Sequence, residues 1–293
     1  MEGHVRSIVD TLGYANIGPV PRGELFVSRQ FLDHFFGEHK GSHPRQLAAA
    51  ARTMGLSLVG IDLTAGPKPL LSHGGLASLE PFFAVGCING PVERLIGMHG
   101  FAIAMTSLRR KKSLFSHVAA DLLREVEEIA KAARGSALAA IAIADDIAGN
   151  RGLLFSPDLF VSEIGPAYGD MAQIIKGNGL FAFFHSDGDM RNVIGFLIEA
   201  GYQCIHPVDA NGSMDVYDLR AEFGNSVSFM GHIDIMAWDA EAVRKECRRA
   251  EEEFAEGGLI LGSMGGISMG AKPESLLALY PGLSSRCSTR GGR

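Results

Sequence analysis

The chain has 293 residues, 46% of them hydrophobic and 20% charged, with a formal net charge of −6. That balance supplies a buried interior and excludes a disordered or fibrous chain. The negative charge also excludes a general binder of nucleic acid or anionic membrane, because phosphate contacts need a cationic surface.

The opening stretch MEGHVRSIVDTLGYANIG has no cationic start followed by an apolar run, and no run reaches the ~18 apolar residues of a membrane span. Cys87, Cys204, Cys247 and Cys287 lie far apart with no CxxC pair. Such spacing fits reduced thiols better than a disulfide framework or a thiolate zinc site, so a cytoplasmic protein is expected.

Residues 1–56 read as an N-terminal extension packed on the remainder, with helices over SRQFLDHFFGEH and HPRQLAAAARTMG. From residue 57, strands are expected at SLVGID (57–62), FFAVGC (82–87), FAIAMT (101–106) and LAAIAIADD (138–146). Four more follow at LFAFFH (180–185), QCIH (203–206), SVSFMGH (226–232) and LILG (259–262). These runs are apolar on successive residues, as parallel strands covered on both faces are. Between them, SHVAADLLREVEEIAKAARG (116–135) repeats Val118, Leu122, Leu123, Val126 and Ile129 at helical steps and stops at Gly135. Further helical patterns cover 156–177, 190–201, 213–224 and 239–258, with Ser156 and Asp239 as N-caps. The basic run from Arg109 to Lys112 reads as a solvated loop. Eight such units predict a (β/α)8 TIM barrel over 57–282, a fold that takes ~250 residues, followed by a disordered tail at 283–293.

The active site of such a barrel is built from the loops that follow the strands. Polar residues at the expected strand ends are Asp62, Asp145 and Asp146, His185 with Asp187, His206 with Asp209, and His232 with Asp234. The last run opens into GSMGGISMG (262–270). Imidazole exchanges protons near its ordinary pKa of ~6.5, which makes His206 and His232 candidate catalytic groups. Asp145 and Asp146 are adjacent on a strand and face opposite ways, so one reaches the pocket and the other orients a neighbouring loop. His185 and Asp187 offer nitrogen and oxygen donors for zinc or another divalent metal. Asp62, Asp209, Gly262, Ser263 and Met264 are candidate substrate contacts, and the glycine-rich run could cradle a phosphate on its amides or clear space for a large substrate. Each His/Asp pair also has a plainer use, capping loop amides and opening the next helix.

The segments DDIAGNRGLLFSPDLF (145–160), FHSDGDM (184–190), HPVDANGSMDVYDLRAEFG (206–224), MGHID (230–234) and LGSMGGISMGAKPESL (261–276) resemble successive motifs of the uroporphyrinogen decarboxylase-like superfamily. That superfamily holds the decarboxylases and the cobamide-dependent methyltransferases, and the resemblance implies a homodimeric barrel. The decarboxylases are similar in an arginine-rich N-terminal motif that grips a polycarboxylate, where this chain has GPVPRGELFVSRQF. They also carry a histidine in the last loop, where this chain has GSMGG, while Asp62 matches their pyrrole-contacting aspartate. The thiol-activating methyltransferases bind zinc through a His-x-Cys pair after the fifth strand and a cysteine after the eighth. His185 matches the histidine, Asp187 stands in place of the first cysteine, and Ser263 or Met264 in place of the second. The resemblance therefore implies a methyltransferase that moves a methyl group between a small methylated substrate and a corrinoid carried by a partner protein, through a metal site of harder donors. The alternatives are a cofactor-independent decarboxylase or lyase acting on a carboxylated substrate, and a non-catalytic corrinoid or ligand sensor.

Overall fold

Runs such as LVGID, LAAIAIA and LILGS bury nearly every residue, and a parallel sheet wrapped in helices is the architecture that hides both faces of a strand. The computed structural model describes residues 3–37, 43–64, 75–110, 112–210 and 214–284. Eight parallel strands follow one another in chain order around a barrel. They are β1 (Gly23–Glu24), β2 (Leu58–Asp62), β3 (Phe83–Asn89) and β4 (Leu138–Ala144), then β5 (Phe181–His185), β6 (Cys204–His206), β7 (Ser228–Ile233) and β8 (Leu259–Ser263). The ring closes where Arg22 bridges Leu261, whose amide donates to Pro21 O at 2.9 Å.

The helices are α1 (Gly3–Leu12), α2 (Arg29–Phe36), α3 (His43–Met54), α4 (Pro91–His99), α5 (Phe101–Arg110) and α6 (Lys112–Ala132). Those after β4 are α7 (Gly165–Gly177), α8 (Arg191–Ala200), α9 (Val216–Phe223), α10 (Ala240–Glu253) and α11 (Pro273–Leu279). Side chains of alternate strand residues, among them Leu58, Val85, Ala142, Phe183 and Met230, fill the barrel interior. Helix α1 seals the N-terminal end of the strands: Ile8 joins that interior, His4 meets Ser57 Oγ at 3.2 Å, and Gly258 N donates to Thr11 O. The caps read from sequence are present, Ser156 accepting from Leu159 N and Asp239 from Ala242 N. Among the described residues no helix is long and apolar enough to cross a membrane.

Two strands and one loop differ from the sequence reading: Arg109 and Arg110, read as part of a solvated loop, are exposed in the last turn of α5. FAIAMT is not a strand but the start of α5, where Phe101 and Ile103 are 54% and 56% exposed. Gly100, at φ 79°, ends α4 and lets the chain turn directly into a second helix. The missing strand is β1, inside the stretch read as an N-terminal extension, and it has no apolar run at all. Instead the buried Glu24 satisfies its neighbours, and two glycines make room for the strand. A β-carbon on Gly60 would meet Leu25 O at 2.0 Å, and one on Gly262 would meet Gly23 O at 2.2 Å. Of the stretch 283–293 read as a disordered tail, Leu283 ends a 3-10 turn with its side chain buried, and 285 onward lies outside the described residues.

Candidate active site

At the C-terminal mouth, β5 and β6 end in register on His185 and His206. Phe183 and Cys204, two residues earlier on each strand, face the interior, so the two-residue period turns both imidazoles inward as well. Their Nδ1 atoms are 2.8 Å apart, and the ring of Phe26 packs edge-on against both, at centroid distances of 4.8 and 5.9 Å. Burial pushes His185 down to about 4 against the opposing charge of Asp146. Burial and the neighbouring His185 hold His206 well below its ordinary value. Burial thus favours the neutral form of both rings.

Asp146, two residues beyond β4, stands with its Oδ1 3.7 Å from His185 Nε2 and accepts the backbone N–H of Asp187 at 3.0 Å. Ligand-capable atoms of Asp146, His185 and Asp187 all lie within 4.8 Å of one another. Burial first, then the charges of Asp146 and Asp209, raise the Asp187 carboxyl to about 6. Asp209 fixes this loop by accepting from Gly188 N at 3.0 Å. Beside the cluster opens a cavity of about 170 Å³ lined by Phe26, Asn89, Glu93, Ala144, Asp146 and His185. Burial and the charge of Asp146 raise the Glu93 carboxyl.

Asp145 turns the other way. It is fully buried, accepts from Val92 N and Glu93 N at the start of α4, and receives the Tyr168 hydroxyl at 2.6 Å. Burial lifts its carboxyl to about 7 against those hydrogen bonds. Its work is to clamp α4 to the end of β4, which brings Glu93 into the mouth.

His232 is not on the mouth. Strand alternation from Met230 would aim it inward, but Gly231 at φ 96° and His232 at φ 76° break the period. The residue is buried and its Nε2 meets Glu246 Oε1 of α10 at 3.1 Å, where the Tyr217 hydroxyl also donates. Gly262 and Ser263 also serve the barrel wall. Ser263 donates through its amide and hydroxyl to Glu24, and Gly262 admits β1. Met264 N donates to Ile233 O and Ile267 N to Phe26 O, so the amides of 263, 264 and 267 are engaged within the protein.

Two further cavities continue the mouth. One of about 290 Å³ is lined by residues that include Phe26, His43, Asp62, Gly265 and Ser268. Another, of about 250 Å³, is lined by residues that include Asp234, Met236, Met264, Gly265 and Ser268. Asp62 lines the first of these, Met264 the second, and Gly265 both. Phe26 and Glu93 are site residues that the sequence reading missed. Phe26 follows an unrecognised strand, whereas Glu93 sits in the first turn after β3 and was open to the same strand-end rule.

No family model matches the chain, and no curated protein matches it. Among solved structures it is similar to a methyltransferase from Methanosarcina mazei, at TM-score 0.73 and 15% identity over 97% of this chain and 99% of that one. It is also similar to the mannanase man26 of Bacillus subtilis, at TM-score 0.55 and 10% identity over 93% and 88%. A family 2 AP endonuclease of Brucella melitensis matches at TM-score 0.50 and 14% identity over 90% and 98%. At these identities the likeness is one of fold.

Proposed function

We propose that the chain is a methyltransferase that takes a methyl group from a small methylated substrate at the barrel mouth and passes it to a corrinoid carried by a partner protein. The observation that carries this reading is the convergence of Asp146, His185 and Asp187 beside a cavity at the strand ends. Their donor set, one neutral imidazole and two carboxylates, fits a divalent ion of intermediate or hard character, zinc included. Such an ion, when bound, supplies Lewis acidity toward the heteroatom that bears the methyl group.

The protein's own groups do the rest. His185 presents a lone pair because burial keeps its ring neutral. Asp146 holds the Asp187 amide and so fixes the loop that carries the third donor. Phe26 packs edge-on against both imidazoles and holds them in place. Glu93, in the same cavity, is placed to return a proton to the departing heteroatom. The carboxylates of Asp62, Asp146 and Asp234 around the three cavities repel a carboxylated substrate, which weighs against the decarboxylase reading.

The test is metal binding. Zinc or manganese titrated into the protein should bind with one-to-one stoichiometry, and His185→Ala should weaken it at least about tenfold. A protein that binds neither ion would remove the basis of the proposal.

A further inference from the structure

The Nδ1 atoms of His185 and His206 face each other at 2.8 Å, so one carries a proton and the other a lone pair. His185 Nε2 is the atom turned toward Asp146, at 3.7 Å. On the metal reading above, a cation among Asp146, His185 and Asp187 takes the Nε2 lone pair, and the proton of His185 must then sit on Nδ1. His206 Nδ1 has to accept it. The single proton of His206 is thereby forced onto Nε2, an atom buried without a partner among the described residues on a side chain 1% exposed.

We infer that His206 is a positioning residue that sets the tautomer of His185 for metal binding, by accepting at its own Nδ1 the proton that His185 carries on Nδ1. The inference rests on the metal reading and adds a polarity to it. Without a cation, the opposite arrangement is open: His185 Nε2–H faces the Asp146 carboxylate, and His206 Nδ1–H donates to His185 Nδ1. Loading the site therefore reverses the pair. One proton leaves His185 Nε2, the shared proton crosses from His206 Nδ1 to His185 Nδ1, and one proton is taken up at His206 Nε2, so both rings stay neutral.

Two substitutions separate the roles. Asparagine carries its amide oxygen where histidine carries Nδ1, and glutamine places its amide nearer the Nε2 position. Zinc titrated calorimetrically into wild type, His206→Asn and His206→Gln should bind the asparagine variant within about threefold of wild type and the glutamine variant roughly 10- to 100-fold more weakly. Thermal melts of both variants confirm that they are folded. Equal losses in the two variants, or a greater loss in His206→Asn, overturn the assignment while leaving wild-type metal binding intact. A wild-type protein that takes up no zinc instead overturns the metal reading, and the assignment with it. In the zinc-loaded protein, nitrogen-15 spectra of labelled histidine should show His206 protonated on Nε2; protonation on Nδ1 contradicts the inference directly.

Discussion

Glu24 on the first barrel strand accepts the amide of Ser263 on the last at 2.8 Å and its hydroxyl at 2.7 Å, and the Tyr280 hydroxyl donates to the same carboxyl. The seam of the barrel is therefore locked by a buried acid, which burial raises to about 7 against those three hydrogen bonds. The folded-state value lies above the ordinary 4.5, so the folded protein binds the proton more tightly than the unfolded chain does. The stability this contributes is complete below about pH 4.5 and is lost as pH rises through about 7.

Replacing Glu24 by glutamine removes that titration. The unfolding free energy of Glu24→Gln relative to wild type should improve between pH 5 and pH 8, by up to about 3 kcal/mol. Urea unfolding at the two pH values measures it. A difference between the proteins that does not change with pH would show that Glu24 is not protonated in the fold.

Gly262→Ala should cost about 3 kcal/mol or more, because its β-carbon would meet the Gly23 carbonyl at 2.2 Å in backbone that cannot swing aside. Gly265→Ala is the control. It has nothing within 4 Å of the added carbon and should stay within about 0.5 kcal/mol of wild type. Thermal melts of the two variants that coincide would mean that β1 does not close the barrel.

His232→Ala should destabilise the fold by about 1–3 kcal/mol, through loss of the Glu246 contact, and leave metal affinity within about twofold. Denaturation and metal titration of the same preparation separate the two effects. A large loss of metal binding without loss of stability would restore His232 to the mouth.

The strands from β2 to β8 were readable because their residues are apolar in succession, and with them came the placement of His185, His206 and the two adjacent aspartates. The opposed faces of Asp145 and Asp146 follow from the two-residue period alone. Other features carry no such signal. β1 is a Gly-Glu pair held by hydrogen bonds to Ser263, so no apolar pattern marks it. FAIAMT is a short apolar run whose helical state depends on packing against α4 and α6. His232 looked like its two neighbours, and only the positive φ at Gly231 and His232 turns it outward. Ser263 was read as rim because it ends a strand, yet its partner lies 239 residues away on β1.

Asp187→Cys should move the site toward thiolate ligation. Softer ligation favours zinc over manganese, so the ratio of the two affinities should shift toward zinc by tenfold or more, on the order of 1.4 kcal/mol. Cobalt-substituted protein should gain a sulfur-to-metal charge-transfer band. An unchanged affinity ratio and no such band would place Asp187 outside the metal's reach.

The central claim is tested most directly by methyl transfer itself. Metal-loaded protein is mixed with cob(I)alamin and a panel of methyl ethers and methylamines, and the absorbance of cob(I)alamin is followed. The account predicts conversion to methylcobalamin with at least one donor, dependent on the metal and abolished by His185→Ala. Metal-loaded wild-type protein that converts no cob(I)alamin with any donor would contradict it.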